Sequence, residues 1–324
     1  MLAFSIVAGL VLLVAGGDAL VRGASALAAR LGLSPLLIGL TVVGCGTSMP
    51  ELVTSLQAAF DGAPGIAVGN VVGSNIANVL LILGVAAVLM PFAVARDTFR
   101  RDGTVLVAAS LACALVVVTG MLTRPVGIVL AFGLVAYIVY AYRSEHRAVV
   151  GEVAPQTTPP AASETAPQAG TSSLSLPLAI ILTVGGIALT VLGARFLVSG
   201  ATGLAQALGV SNALIGLTVV AVGTSLPELV TSIVAAVKRE GDIAFGNVVG
   251  SNIYNVLAIL GITAAVHPIP VAPEIAAFDI WVMLAATAAL VAVAVTGWRV
   301  TRGEGAALLL AYAAYIAWLA RGVL

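Results

Sequence analysis

Charge is scarce in this chain. Of 324 residues, 14 are Lys or Arg and 14 are Asp or Glu, 9% against the roughly 25% of an ordinary soluble domain. With 60% hydrophobic residues and a mean hydropathy of +1.15, that deficit excludes a soluble globular domain. The net charge is zero and no basic patch occurs, which excludes a nucleic-acid partner. Histidine is down to His146 and His267, both at the edges of apolar runs. Cysteine is down to Cys45 and Cys113, both inside such runs, where a small buried thiol is expected rather than a disulfide. Without histidine in the apolar runs or cysteines at ligand spacing, zinc, copper and haem are disfavoured. No G-x-S-x-G elbow or HExxH motif occurs, so an intramembrane enzyme is set aside and no cofactor is expected. The N-terminus lacks the cationic region and cleavage site of a signal peptide, so its first apolar run is read as a retained helix.

What the chain has instead is apolar runs near or above the roughly 20-residue spanning length. Their residues do not alternate as those of a membrane β-barrel would. The expected fold is an all-α polytopic membrane protein. Ten transmembrane helices are predicted, at 2–20, 34–60, 66–90, 102–121, 125–142, 177–198, 211–237, 243–265, 278–297 and 304–321. With the N-terminus outside, Arg22, Arg30, Arg96, Arg100, Arg101, Arg143, Arg147, Lys238, Arg239, Arg299 and Arg302 face the cytoplasm. Only Arg124, Arg195 and Arg321 face outward. This positive-inside bias places both termini outside a plasma membrane, the inner membrane of a bacterium or archaeon. Residues 143–176 are rich in Pro, Ala, Ser, Thr and Gln and read as a flexible cytoplasmic linker. They separate a five-helix unit at 1–142 from a second at 177–324.

The two units say the same thing twice. GTSMPELVTS at Gly46–Ser55 returns as GTSLPELVTS at Gly223–Ser232, and GNVVGSNIANV at Gly69–Val79 as GNVVGSNIYNV at Gly246–Val256. One offset, 177 residues, aligns them without a gap from Gly16 to Gly84. It also pairs Pro91 with Pro268 and Asp102 with Asp279, and one inserted residue later pairs Tyr137 with Tyr315. Because five is odd, the second unit must enter the membrane upside down, giving inverted-topology repeats.

Each copy carries a glutamate, Glu51 or Glu228, close to the middle of an apolar run. A carboxylate there is expensive and implies a cation to hold. Pro50 has no amide hydrogen, so the Gly46 carbonyl loses its helix partner and the turn at Thr47 loosens. The second unit repeats this with Gly223, Thr224, Ser225, Pro227 and Glu228. In the other motif Ser74 and Asn78, or Ser251 and Asn255, are four apart and share a helix face. Gly69 and Gly73, or Gly246 and Gly250, permit close helix approach. Two carboxylates with neutral oxygens suit hard cations, and flexible ligands suit Ca²⁺ better than Mg²⁺. Two negative charges neutralise one Ca²⁺ or two Na⁺; a third Na⁺ on the neutral oxygens would make their exchange electrogenic. Other acids read more plainly. Asp18 lies at the end of the first span and aligns with Arg195. Asp102 and Asp279 each begin a helix, as dipole caps. Asp61, Asp97, Glu145, Glu152, Glu164, Glu240, Asp242, Glu274 and Glu304 are read as solvated.

At these segments the chain resembles the cation/calcium exchanger superfamily, most closely its prokaryotic sodium/calcium exchanger branch. The resemblance covers the whole chain. It implies that Glu51 and Glu228 bind Ca²⁺ and Na⁺ alternately and that the backbone carbonyls of Thr47 and Thr224 complete the calcium site. It further implies sodium sites at Ser48, Ser74, Ala221, Thr224, Ser225 and Ser251, with Asn78 and Asn255 lining the centre. Some relatives, potassium-dependent exchangers among them, have aspartate where this chain has Asn255, which weakens a potassium-coupled reading. The expected activity is Ca²⁺ exchange for Na⁺ by alternating access, with the first and sixth helices sliding across the rest. Proton-coupled or potassium-dependent exchange is the alternative, and a passive cation channel the competing class. The expected partners are the two ions and the bilayer, with no obligate protein partner.

Overall fold

The computed structural model describes residues 2–61, 64–152, 174–207, 221–271 and 273–321. The first half holds α1 (Leu2–Leu31), α2 (Pro35–Thr47), α3 (Met49–Phe60), α4 (Gly65–Leu89), α5 (Arg96–Val118) and α6 (Arg124–Glu145). The second holds α7 (Leu176–Leu204), α8 (Ala221–Thr224), α9 (Leu226–Val237), α10 (Gly241–Val266), α11 (Ile275–Val295) and α12 (Arg302–Arg321). Among the described residues seven helices are long and apolar enough to cross a membrane, and eight if α2 and α3 form one bent span. This is a multi-pass helical membrane protein. The start of the predicted 211–237 span and most of the 143–176 linker fall outside the described residues. The first ten residues of that linker, 143–152, continue the helix that begins at Arg124 and are not a flexible connection.

Among the described residues, four two-residue strands tie the helix ends together. β1 (Phe92–Ala93) pairs antiparallel with β4 (Arg299–Val300), and β2 (Met121–Leu122) with β3 (Ile269–Pro270). Helix α5 leaves β1 and arrives at β2, whereas α11 leaves β3 and arrives at β4. These two helices, aligned by the repeat, therefore run in opposite directions between the same two small sheets. At 23 residues and 1.5 Å per residue, α5 sets the sheets about 35 Å apart. Midway, Ser110 Oγ lies 3.1 Å from Thr287 Oγ1, and these residues are themselves 177 apart.

The core surrounds α4 and α10, the most deeply buried of the spans. Protein on all sides lets these helices carry Ser and Asn at membrane depth, which lipid would not tolerate. Each passes through a π-helical turn, Asn78–Leu83 in α4 and Asn255–Leu260 in α10. Such turns are rare and gather at functional positions.

Helices α1 and α7 lie along the flank as an antiparallel pair. Glycines recur every seven residues on both, at Gly9, Gly16 and Gly23 and at Gly186, Gly193 and Gly200. They bring the backbones so close that a Cβ on Gly16 would sit 2.6 Å from Thr190 N, and one on Gly193 would sit 2.7 Å from Leu13 N.

Several acids differ from the sequence expectation. Helix α1 continues to Leu31, so Asp18 is in its interior, paired with Arg22 Nε at 2.9 Å and with Lys238 Nζ. Asp102 caps nothing, because α5 starts six residues earlier, at Arg96. It is buried, with Arg101 Nε at 2.7 Å and the Tyr137 hydroxyl donating at 2.9 Å. Asp279 likewise sits inside α11, bonded by Tyr315 at 3.0 Å. Glu145 is not solvated: it accepts from the Ser34 amide and hydroxyl at the start of α2 and approaches Arg101 at 3.6 Å. A lone charge can be matched to a partner only once helix packing has chosen the partner.

Candidate cation-binding site

The site begins with two broken helices. Between α2 and α3 the axis bends by 42°. The break falls at Ser48, whose φ −82° and ψ 6° leave the helical region, and Ser225 matches it with φ −89° and ψ 9°. Pro50 and Pro227 lie just beyond, each the second residue of the new helix, where a missing amide is tolerated. Glu51 and Glu228 therefore sit in the first turns of α3 and α9, where the helix dipole favours negative charge. Both are buried, 1% and 2% exposed.

The halves then exchange partners. Ser48 donates to Glu228 Oε1 at 2.8 Å, and Ser225 donates to Glu51 Oε1 at 3.1 Å. Ser48 also reaches Ser251 at 3.1 Å, and Ser225 reaches Ser74 at 3.5 Å. Each bond has its counterpart 177 residues on. The expected residues Glu51, Glu228, Ser48, Ser225, Ser74 and Ser251 thus come together around one centre, contributed by α3 and α9, the breaks that precede them, and α4 and α10.

What is left over defines the chemistry. Among the buried side-chain oxygens without a hydrogen-bond partner are Glu51 Oε2, Glu228 Oε2, Asn78 Oδ1 and Asn255 Oδ1. An orphaned buried acceptor is costly, and carboxylate oxygens more so. Four such oxygens, two from each half, are a donor set for a hard cation. Among the described residues no group of three or more His, Cys, Asp or Glu gathers, so further ligands must be neutral oxygens.

The other expected residues are placed less uniformly. The Thr47 hydroxyl has Val43 O at 3.1 Å and Asn247 Oδ1 at 3.2 Å as acceptors for its single proton. Thr224 is half-buried at the end of α8. Ala221 opens α8, and its side-chain surroundings fall outside the described residues.

Sequence reasoning missed Asn70 and Asn247. Asn70 Nδ2 donates to Glu51 O at 3.2 Å and Ser55 Oγ at 3.0 Å. Asn247 does the same to Glu228 O at 3.2 Å and Ser232 Oγ at 2.9 Å. They brace each glutamate turn against α4 or α10. The signal was present, since Asn70, Ser74 and Asn78 recur four apart on one face and in both copies. Asn75 was missed as well; its Oδ1 accepts from Asn255 Nδ2 at 2.9 Å.

Access to the centre is unequal. On the side of the β2–β3 sheet a cavity of ≈ 330 Å³ opens between α3 and α7, running from Gln57 and Arg195 down to Pro50, Gly223 and Thr224. On the β1–β4 side the equivalent seam, between α1 and α9, is filled. A Cβ on Gly17 would stand 3.1 Å from Val230 Cγ1 and 3.2 Å from Val234 Cγ2, and Asp18, next to Gly17, is paired with Lys238, one helical turn beyond Val234.

Comparison with known proteins agrees with this geometry. The family model described as "Sodium/calcium exchanger protein" matches residues 1–143 and 178–321. The inner membrane protein YrbG of Escherichia coli (strain K12) is 38% identical over 319 residues, covering 97% of this chain and 94% of that protein. The sodium/calcium exchanger MaX1 of Methanosarcina acetivorans is 34% identical over 333 residues, covering 95% of each. A solved structure of the sodium-calcium exchanger NCX_Mj superposes with a TM-score of 0.82 at 29% identity, covering 98% of both chains.

Proposed function

The chain belongs to the sodium/calcium exchanger protein family, and from that premise we propose that it is a secondary antiporter moving Ca²⁺ out of the cell against Na⁺ flowing in. The observation that carries this reading is the two-fold set of orphaned oxygens on Glu51, Glu228, Asn78 and Asn255. Two carboxylates there balance one Ca²⁺ or two Na⁺. The serines 48, 74, 225 and 251, with the backbone at Thr47, Thr224 and Ala221, offer the neutral oxygens for a further Na⁺. Exchange of three Na⁺ for one Ca²⁺ would move net charge and respond to membrane voltage. Asparagine at 78 and 255 adds no third charge for a co-transported K⁺, which favours Na⁺ coupling over the potassium-dependent alternative.

The opposed courses of α5 and α11 between the two sheets support a ten-helix architecture of two inverted five-helix repeats, 1–142 and 177–324, joined by the 143–176 linker. In the orientation given by the positive charges, the β1–β4 side faces the cytoplasm and both termini face outward. The cavity on the β2–β3 side would then face outside; it stops short of the buried Glu51 and Glu228, which fits an outward-facing arm of an alternating-access cycle with the site itself closed off.

Reconstituted vesicles provide the test. ⁴⁵Ca²⁺ uptake should require an opposing Na⁺ gradient and should not run on an imposed K⁺ or H⁺ gradient alone. Glu51→Gln and Glu228→Gln should each abolish it. Uptake that needs no counter-gradient would make the protein a channel, and uptake driven by H⁺ alone would make it a proton-coupled exchanger. Exchange retained in either glutamine variant would move the site elsewhere.

A further inference from the structure

One residue interrupts the register of the repeat, and the structure identifies it. Thr119 and Gly120 align with Thr296 and Gly297, both glycines having positive φ, 73° and 69°. Met121-Leu122 then aligns with Arg299-Val300, the one as strand β2 paired with β3 and the other as strand β4 paired with β1. The residue left over is Trp298. Its own φ is +55°, a left-handed conformation that a bulky side chain adopts only under constraint. The Trp298 carbonyl accepts from Val94 N at 2.8 Å, which fixes the turn against β1.

The strained turn sets the indole beneath two arginines. Arg96 and Arg100, one turn apart at the start of α5, lie 5.2 and 5.9 Å from the Trp298 ring centroid. Stacking on the ring fixes the guanidinium planes while their N–H edges stay free to donate. Among the described residues neither arginine forms an ion pair, although Arg22, Arg101 and Lys238 all do. Below the arginines a groove of ≈ 360 Å³ runs between α5 and α11, with Arg100 and Trp298 at its mouth and Phe99, Val107, Val291 and Val295 as apolar walls. The aligned positions on the opposite side of the protein have none of this. Arg96, Phe99 and Arg100 are replaced there by Pro273, Ala276 and Ala277.

We propose that this groove binds one anionic phospholipid of the cytoplasmic leaflet, with its phosphate held by Arg96 and Arg100 and an acyl chain lying between α5 and α11. Charge complementarity carries the choice of occupant. The two unpaired cations sit beside a tryptophan at the end of a spanning helix, where indoles take headgroup level. They lie on the side to which the positive residues assign the cytoplasm, and basic pockets between helices on that side attract acidic headgroups. A zwitterionic lipid would bring its own cation to the same place.

The test uses Trp298 as the probe. The chain has three tryptophans, so W281F/W318F leaves Trp298 alone. The full-length variant is placed in phosphatidylcholine vesicles containing a minor fraction of brominated phosphatidylglycerol or of brominated phosphatidylcholine. Quenching should be several-fold stronger with the brominated phosphatidylglycerol. It should fall to the phosphatidylcholine level in R96Q/R100Q and largely persist in R96K/R100K. Added inorganic phosphate should not relieve it; relief would assign the site to a free small anion and overturn the proposal. Equal quenching by the two lipids, or a preference untouched by R96Q/R100Q, would overturn it too. Native mass spectrometry of the unaltered chain and of R96Q/R100Q gives the same comparison without the tryptophan changes. The arginine variant should lose its retained phosphatidylglycerol, and equal retention counts against the site.

Discussion

At the scale of single residues, the serine after each broken turn serves the glutamate of the other half. A hydrogen bond to a charged group is worth about 1.5–3 kcal/mol, roughly ten-fold to a hundred-fold in an equilibrium constant. Ser48→Ala and Ser225→Ala should each weaken cation binding by about that much, and by similar amounts, because their bonds are counterparts. Calcium titration of exchange in vesicles would show it; a loss confined to one serine would break the pairing. Asn70→Ala and Asn247→Ala should act differently. Each removes a brace between a glutamate turn and its neighbouring helix, costing about 1–3 kcal/mol of stability. Thermal unfolding in detergent would register it. The glutamates and serines were legible because charge and hydroxyl at membrane depth stand out against apolar surroundings. The bracing asparagines were not, since an amide on a helix face reads equally well as ordinary packing. Asp102 and Glu145 were misread for a related reason: their partners, Tyr137 and Ser34, are 35 and 111 residues away.

At the scale of elements, the contrast between the two seams is decisive. Asp18 on α1 pairs with Lys238 at the end of α9. The aligned residues across the membrane are Arg195 on α7 and Asp61 at the end of α3, the same pair with its charges exchanged. Here the first pair is closed, while Arg195 lines the open cavity. Lys238→Gln should loosen this seam, which the proposed orientation turns to the cytoplasm. In a background lacking Cys45 and Cys113, a cysteine at Val230 should then react several-fold faster with an impermeant maleimide applied from the cytoplasmic side. Unchanged labelling would leave the ion pair without a role in closure. The seam between α1 and α7 should be far less forgiving. Gly16→Val would press a branched side chain into the Thr190 backbone, and overpacking of this kind costs about 1–3 kcal/mol or more. Exchange and melting temperature should fall together. Periodicity located most of the helices, but it could not see that α1 runs on to Leu31 or that α5 begins at Arg96. Charged residues at helix ends look like loop in sequence and become helix when a neighbour holds them, as Asp18 holds Arg22 and the Trp298 ring holds Arg96.

At the scale of the whole molecule, the offset of 177 predicted two related halves, and the serine–glutamate, serine–serine and asparagine-brace contacts of the centre each have a counterpart at that offset. It could not predict which counterparts would differ. The two seams are unlike each other, and the arginine-lined groove has no partner across the membrane. Since the halves meet through packing and crossed hydrogen bonds, the connection between them should be dispensable. A chain opened between residues 153 and 173 and co-expressed as two pieces should still exchange Ca²⁺ for Na⁺. If the pieces fold but fail to exchange, the linker has a role beyond tethering.

The contact between Ser110 and Thr287 carries a consequence about origin. In a homodimer, a residue touches its own copy only on the two-fold axis. Here two residues at equivalent positions touch, with hydroxyls 3.1 Å apart, at the point where that axis would pass. On the proposed architecture of two inverted repeats, this is where a five-helix ancestor that inserted in either orientation met its own upside-down twin, before gene duplication fused the pair into one chain.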